Sequence, residues 1–215
     1  ISKWPEQYQS LLPSINSSLH KFCSISVREE TGKHLLNSLF KLNSQVVLDP
    51  TLLHVDYDEI TGSIVNNDEV ICYLLNRTKL QLEKTIGLSK SWGKTPKMIS
   101  TIRPTLGFRY VYPPSIENWI RYIAGAKFVI TDSFHGLAFS LIYKKQFVVI
   151  SPSNGKNSRL KDLLKSVGLE DRYFDESDPI IYHELQNKKI DYDKVNSKLD
   201  ILKKISWNYL KNALQ

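Results

Sequence analysis

The stretch from Phe128 to Tyr143, which reads FVITDSFHGLAFSLIY, decides the fold class. Its first four residues, Phe128–Thr131, are apolar or β-branched and predict a short buried strand. After a polar turn, the segment from Gly136 to Tyr143 is apolar nearly all round and predicts a helix that is enclosed by a sheet and its neighbours. A strand that leads directly into a buried helix is typical of an α/β protein.

The same alternation of short apolar runs and amphipathic stretches extends over the rest of the chain. Further strands are predicted at Phe22–Val27, Gln45–Leu48, Val70–Leu75, Met98–Ile102, Arg109–Tyr112 and Phe147–Ile150. The sequence therefore predicts an α/β fold with a Rossmann-like, mainly parallel sheet and flanking helices.

Three of the predicted helices have clear boundaries. The first is capped by Ser115, ends at Gly125 and has an apolar face made of Ile116, Trp119, Ile120 and Ile123. The second starts at Asn157 or Ser158, ends at Gly168 and buries Leu160, Leu163, Leu164 and Val167. The third runs from Tyr192 to Ala213 and has an apolar stripe made of Val195, Leu199, Leu202 and Tyr209.

A turn-rich acidic stretch, Asp56–Asp68, marks the expected domain boundary. We expect residues 1–66 to be the end of an N-terminal α/β domain and residues 67–215 to be a C-terminal Rossmann-like domain. The one methionine is Met98, so the sequence is expected to be a piece of a longer protein.

The charge balance favours an anionic partner. The 215 residues include 29 Lys and Arg against 22 Asp and Glu, a net charge of +7, which suits a phosphate-bearing metabolite, an anionic lipid surface or nucleic acid. No nucleic-acid-binding motif is present, so we do not expect nucleic acid as a partner.

The longest apolar run, Leu137–Ile150, is interrupted by Lys144 and Lys145. It is shorter than the roughly 20 residues that a membrane span needs, so we do not expect a transmembrane segment.

The two cysteines, Cys23 and Cys72, lie in apolar runs and are expected to be buried thiols. They give no sign of an oxidising compartment, so the expected location is cytoplasmic. Neither carboxylates nor His and Cys residues cluster at ligand spacing, and we expect no metal site.

Candidate functional residues follow the strands at their carboxyl ends, where α/β sheets bind ligands. Arg28, Arg77 and Arg103 each follow a predicted strand, and Asn157 and Arg159 follow the strand that ends at Ile150. Cationic and amide groups at this edge would suit an anionic substrate.

The turn TDSFHG, Thr131–Gly136, is the most informative of these segments. A helix N-terminus has unpaired N–H groups and partial positive charge, so it can bind a phosphate or carboxylate. Ser133 is placed to cap the helix, Gly136 would let a ligand approach the backbone, and His135 can transfer protons.

Simpler roles remain open for the same side chains. Ser133 or Asp132 could be a helix cap only, and His135 could be a structural histidine. Arg28 could pair with Glu29 or Glu30 on the surface, and Arg159 could be a solvated helix residue.

Four segments together resemble the polysaccharide pyruvyl transferase family. They are ISVREETGKHLL (25–36), VLDPTLL (47–53), FVITDSFHGLAFSLIY (128–143) and NSRLKDLLKSVGLEDR (157–172). The resemblance covers nearly the whole chain and corresponds to the later portion of a family member. It implies two Rossmann-like halves that face across a cleft, similar to the B-type glycosyltransferases. It also implies transfer of pyruvate from phosphoenolpyruvate to two sugar hydroxyls as a cyclic ketal, with no other cofactor.

The family resemblance implies that the donor binds around His135 and at Arg28. Some members have an arginine and a leucine immediately before the histidine, where this chain has Ser133 and Phe134. One anion contact is therefore expected to come from elsewhere, with Arg159 or Arg77 as candidates. His135 is expected to be the general acid and base, and Asp132 to orient its imidazole or accept a sugar proton. The remaining donor-binding residues are expected to be Ser133, Phe134, Gly136 and Asn157.

By the same resemblance, the acceptor is expected to be a galactose-type residue on a lipid-linked or nucleotide-linked saccharide, used in exopolysaccharide or capsule synthesis. The basic charge is compatible with peripheral association at the inner face of the membrane. Two alternatives stay open. One is a nucleotide-sugar glycosyltransferase of the same architecture, for which residues 153–155 would be a thin substitute for a Gly-rich diphosphate loop. The other is a saccharide-binding module without catalysis.

Overall fold

The computed structural model describes residues 4–54, 56–100, 105–112, 115–153 and 157–215. The strands within these ranges are β1 Ser26–Val27, β2 Gln45–Val46, β3 Val70–Tyr73, β4 Lys97–Ile99, β5 Arg109–Val111, β6 Phe128–Thr131, β7 Gln146–Ser151 and β8 Tyr173–Asp175. The helices are α1 Leu12–Leu19, α2 Glu30–Phe40, α3 Pro50–Leu53, α4 Asp58–Thr61, α5 Lys79–Ser91, α6 Ile116–Gly125, α7 Phe134–Ile142, α8 Ser158–Val167, α9 Tyr182–Asn187 and α10 Tyr192–Ala213. Short 3₁₀ helices lie at Glu6–Leu11 and Glu170–Arg172.

Strands β3 to β8 form one parallel sheet in the spatial order β5-β4-β3-β6-β7-β8. Counted along the chain, this is the order 3-2-1-4-5-6 of a Rossmann fold. The predicted Rossmann-like parallel sheet with flanking helices is therefore confirmed. The strand order reverses between β3 and β6, so the carboxyl ends of these two strands border the crevice in which such sheets bind ligands.

Successive residues of each strand point to opposite sides of the sheet, and helices cover both sides, so both faces are buried. Ile71 and Val129 belong to a core shared with α3, α6, α7, α8 and α10. Cys72 and Ile130, the next residues along, belong to a second core shared with α5 and α9. The sheet is thus the middle of three layers, and α7 is enclosed as its apolar composition predicts.

The first part of the chain packs against the same layers. Strands β1 and β2 form a separate parallel pair, and Leu48 and Leu52, which follow them, lie in the core beneath α7. The backbone N–H of Leu48 donates to Ser206 Oγ of α10 at 2.9 Å. The domain boundary at residue 66 stays a prediction.

Several predicted helices are confirmed in detail. Helix α6 is capped by Ser115, whose Oγ accepts a hydrogen bond from Asn118 N. Helix α8 buries all four predicted apolar residues, and α10 has the predicted bounds. The prediction that Ile116 belongs to the buried face of α6 is wrong, because this residue is 75% exposed.

The predicted strand at Phe22–Val27 is wrong over most of its length. Only Ser26 and Val27 pair with β2, and Phe22 is 65% exposed. Cys23 is therefore exposed rather than buried, whereas Cys72 is buried as predicted. The end of the predicted Met98–Ile102 strand lies outside the described residues. Strand β8 was not predicted.

Among the described helices, none combines the length and the apolar character needed to cross a membrane.

Candidate active site

The turn between β6 and α7 is held by short-range hydrogen bonds. Thr131 Oγ1 donates to Tyr73 O at 2.7 Å and accepts from Ser133 N at 3.0 Å. Ser133 Oγ in turn accepts from Gly136 N at 3.3 Å, which confirms the predicted cap. Because these bonds join β6, β3 and α7, the start of the helix is fixed at the carboxyl edge of the sheet.

The glycine in this turn is explained by packing. A Cβ atom at Gly136 would lie 2.3 Å from Thr131 Oγ1, closer than any real contact of this kind. The absent side chain therefore lets α7 approach β6. The predicted contact of Gly136 with a ligand stays a prediction.

Asp132 is buried, with 6% of its surface exposed, and its carboxylate accepts hydrogen bonds from four donors. Oδ1 accepts from Leu75 N at 2.6 Å, and Oδ2 accepts from the backbone and side-chain nitrogens of Asn76 at 3.0 and 2.8 Å. Oδ2 also accepts from Gln81 Nε2 at 3.1 Å. Asp132 thus ties the end of β6 to the loop after β3, and its predicted catalytic role stays a prediction.

Gln81 extends this tie across the sheet edge. Its Nε2 also donates to Ile150 O of β7 at 2.8 Å, and its Oε1 accepts from Thr78 N at 3.0 Å. Thr78 Oγ1 donates to Glu176, just beyond β8. The carboxyl edge from β3 to β8 is therefore one connected polar network. Sequence reasoning missed Gln81, although its position three residues after Thr78 is the spacing of a capping box.

His135 differs from Asp132 in its exposure to solvent. Its imidazole is exposed, and its ring centroid lies 5.7 Å from that of Phe134, at right angles. No hydrogen bond found among the described residues joins His135 to Asp132. The imidazole is therefore accessible to a substrate.

Two arginines lie against the ring of Phe134. The guanidinium carbon of Arg28 is 6.0 Å from the ring centroid, and that of Arg159 is 5.8 Å away. Arg28 follows β1 and Arg159 lies in the first turn of α8, so residues far apart in sequence meet at the start of α7. We call Arg28, Phe134, His135 and Arg159 the arginine cluster.

Two polar contacts support the cluster. Ser158 Oγ donates to Glu29 Oε2 at 2.6 Å, which joins the residues next to Arg159 and Arg28. Arg28 also forms an ion pair with the buried carboxylate of Asp49, and not with Glu29 or Glu30, the alternative that the sequence left open.

Asp49 has a second task, because its Oδ1 accepts a hydrogen bond from Thr51 N at 3.0 Å and caps α3. Burial raises the pKa of Asp49, but the hydrogen bonds from Thr51 and Arg28 outweigh it and lower the pKa below its usual value. The carboxylate therefore stays charged beside Arg28 at neutral pH. The signal for this cap was present in the sequence, as an aspartate followed directly by Pro50.

The hydrogen bonds of the other predicted residues, Arg77 and Asn157, are made outside the cluster. Arg77 has a left-handed backbone, with φ of 54°, and its Nε donates to Leu74 O at 3.4 Å. Asn157 precedes α8 and donates from Nδ2 to Pro152 O at 2.9 Å. No contact within the described ranges joins either side chain to Phe134. Arg103 and the proposed loop at 153–155 fall wholly or partly outside those ranges.

A cleft of about 270 Å³ adjoins the cluster. Its lining includes Arg28 and Phe134, the carboxylates of Glu29, Glu30, Asp49 and Asp162, and apolar side chains of α3, α8 and α10. The cleft thus places hydrogen-bond acceptors beside Arg28 and Phe134 of the arginine cluster.

In the described part of the chain, no three His, Cys, Asp or Glu side chains are grouped so that they could hold a metal ion. The expectation of a reaction without a metal stays a prediction.

A family model for polysaccharide pyruvyl transferases matches residues 4–154, which contain Arg28, Phe134 and His135. The chain belongs to the polysaccharide pyruvyl transferase family. The predicted resemblance is confirmed. No curated protein matches the chain.

This pyruvyl transferase family member also has distant similarity to solved structures. One is the Methanocaldococcus jannaschii UDP-GlcNAc 2-epimerase in complex with UDP-GlcNAc and UDP, with 12% identity and a TM-score of 0.47, over 85% of this chain and 55% of that one. Another is a mutant Thermobaculum terrenum O-GlcNAc transferase, with 10% identity and a TM-score of 0.43, over 79% of this chain and 37% of that one. The chain spans about half or less of the length of these structures. The fold assignment rests on the strand order of the sheet.

The arginine cluster of this pyruvyl transferase family member combines two chemical capacities. Two guanidinium groups and the first N–H groups of α7 can bind phosphate or carboxylate oxygens. The exposed imidazole of His135 can donate or accept a proton beside them.

Proposed function

We propose that this protein transfers pyruvate from phosphoenolpyruvate to two hydroxyls of a sugar, forming a cyclic ketal and releasing phosphate. One observation carries the proposal: Arg28 and Arg159 meet at Phe134, beside the exposed His135. Phosphoenolpyruvate is a small trianion with a phosphate and a carboxylate, so it needs two cationic contacts close together. The family membership supports the same reaction.

In this proposal, the donor binds across the start of α7. Arg28 and Arg159 bind its phosphate and carboxylate, each able to present two parallel N–H donors to a pair of oxygens. The N–H groups of Phe134 and His135 have no acceptor within the helix and add partial positive charge. The same contacts would stabilise the phosphate as it leaves.

His135 then supplies the proton. It donates to the methylene carbon of the donor, which leaves cationic character on the adjacent carbon, and the first sugar hydroxyl forms a bond to that carbon. The hydroxyl proton returns to the imidazole, the C–O bond to phosphate breaks, and the second hydroxyl closes the ring and releases its proton to phosphate or solvent. General acid–base catalysis of this kind contributes about 10²- to 10⁴-fold.

The proposed acceptor is a galactose-type residue on a lipid-linked or nucleotide-linked saccharide. The cleft beside the cluster supports a sugar ligand, because the carboxylates of Glu29 and Glu30 can accept hydrogen bonds from its hydroxyls. The proposed location is the cytoplasm, at the inner face of the membrane, and the net charge of +7 favours an anionic surface there.

The test is to incubate the protein with phosphoenolpyruvate and a galactoside, and to measure phosphate release and the mass of the product. Release of one phosphate for each ketal formed is the expected result. A parallel reaction with UDP-galactose serves as the control. Release of UDP there, with no turnover of phosphoenolpyruvate, would assign a glycosyltransferase instead.

A further inference from the structure

The ring of Phe134 is a fixed surface between parts of the chain that are otherwise separate. It lies at the first position of α7 and packs partly buried against the core that contains Val129 and Leu163. Arg28 and Arg159, in contrast, are long side chains that reach it from the segment after β1 and from α8. The ring is therefore the anchored member of the cluster.

Among the described residues, only one of the two guanidinium groups is paired with a carboxylate. Arg28 forms an ion pair with Asp49, but no ion pair found among the described residues includes Arg159. Two like charges brought to one place repel each other, and long side chains lose conformational entropy when they are held. Some other interaction must offset these costs.

The face of an aromatic ring carries negative charge density and attracts cations within about 6 Å of its centroid. Both guanidinium carbons lie within this distance of Phe134. The hydrogen bond between Glu29 and Ser158 holds the two backbone segments together but contacts neither guanidinium. The ring is thus the contact that the two arginine side chains share.

We propose that Phe134 is a positioning residue: its ring orders Arg28 and Arg159 before the donor binds. This inference rests on the proposed function only for the identity of the anion. It assigns to Phe134 a role that a leucine of similar volume could not perform, because an aliphatic side chain has no charged face.

The first experiment needs no ligand. NMR of the Arg28 and Arg159 side chains in the free protein measures their mobility and the shift caused by the aromatic ring. In Phe134→Leu we expect both Nε–Hε signals to lose their ring shift and to show greater mobility, and in Phe134→Tyr to remain as in the wild type. Unchanged arginine signals in folded Phe134→Leu would overturn the proposal.

A matched variant controls for the general loss of an aromatic ring. Tyr122→Leu removes a different cation–π contact, in which Lys97 lies 5.6 Å from the ring centroid. We expect its Arg28 and Arg159 signals to be unchanged. If Tyr122→Leu mobilises the arginines as much as Phe134→Leu does, the effect is not specific to the ring at position 134 and the proposal fails.

The second experiment measures the dissociation constant of phosphoenolpyruvate by calorimetry. Loss of two cation–π contacts predicts an increase of about 5- to 30-fold in Phe134→Leu and little change in Phe134→Tyr. In a protein that already carries Arg159→Ala, the same substitution should have a smaller effect. Equal effects in both backgrounds would contradict a role exerted through Arg159.

The two experiments separate this inference from the proposed function. If the wild-type protein does not bind phosphoenolpyruvate, the proposed donor is wrong, and the arginine signals alone decide the role of Phe134.

Discussion

Asp132 and His135 lie three residues apart on one turn, and their surroundings are opposite. Asp132 is buried and accepts four hydrogen bonds from the loop after β3 and from Gln81. His135 is exposed beside Phe134 and the two arginines. A buried carboxylate with all its partners satisfied stabilises the fold, whereas an accessible imidazole beside cations suits chemistry on an anion. Within this turn, Asp132 therefore stabilises the fold, and His135 is placed for chemistry.

Replacement of His135 should have the largest effect on turnover. In His135→Ala we expect ketal formation to fall by about 10²- to 10⁴-fold, because the proton donor is lost. The free energy of unfolding should change by less than about 0.5 kcal/mol, since the side chain is exposed. Phosphate release under saturating donor and urea denaturation measure the two quantities.

His183→Ala is the matched control for that variant, because His183 is also exposed on a helix. Its turnover should equal that of the wild type. Near-normal turnover in His135→Ala would remove the imidazole from the mechanism and leave the arginines as anion-binding groups only.

Replacement of Asp132 should lower stability strongly and turnover only weakly, the reverse of the effect expected for His135. Asp132→Ala leaves the N–H groups of Leu75 and Asn76 and the buried amide of Gln81 without this acceptor, which should destabilise the fold by about 3 kcal/mol. Urea denaturation measures this loss. Turnover at a temperature where the variant is folded should fall much less than in His135→Ala.

Asp200→Ala removes an aspartate that is mostly exposed on α10 and should change the stability by less than about 0.5 kcal/mol. An Asp132→Ala protein with wild-type stability and no turnover would assign Asp132 to catalysis. The proposed difference in role between Asp132 and His135 would then be wrong.

A third prediction concerns the approach of α7 to β6. Gly136→Ala would place a methyl group against Thr131 Oγ1, so we expect a loss of about 2 kcal/mol in the free energy of unfolding. The same substitution at Gly32 of α2 meets only ordinary contacts, from 3.4 Å outward, and should stabilise the protein by about 0.5 kcal/mol. Urea denaturation measures the free energy of unfolding of both variants. It tests whether Gly136→Ala lowers this free energy while Gly32→Ala raises it.

The sequence was sufficient for those parts of the fold that local pattern determines. The buried strand Phe128–Thr131 has the predicted bounds, and α8 and α10 follow directly from their apolar spacing and end signals. Strand β8 was missed because its three residues, Tyr173–Asp175, are too few to show an alternating pattern. The length of the strand that begins at Phe22 in the prediction was overestimated, because apolar composition alone does not show whether a partner strand pairs with each residue.

The candidate site was predictable in its residue types but not in its contacts. Strand ends indicated Arg28, His135 and Arg159, yet the partner of Arg28 is Asp49, which lies 21 residues further along the chain. Such a pairing depends on how β1, β2 and α3 pack, and no local spacing encodes it. The same holds for Asp132, whose partners follow a different strand.

The smallest predicted effect concerns Asp49, which links the two kinds of site because it caps α3 and also pairs with Arg28. Its pKa is lower in the folded protein than the ordinary value of 3.8, so its contribution to stability is present above about pH 4 and is lost as the pH falls through the folded pKa. Between pH 7 and pH 3 the wild type should therefore lose about 1 kcal/mol more stability than Asp49→Asn. Glu30→Gln, which removes only a solvent-exposed pair with Lys33, should keep the wild-type pH dependence. If Asp49→Asn also keeps it, the carboxylate contributes nothing as an anion, and Arg28 owes its position to the ring of Phe134 and the backbone around it.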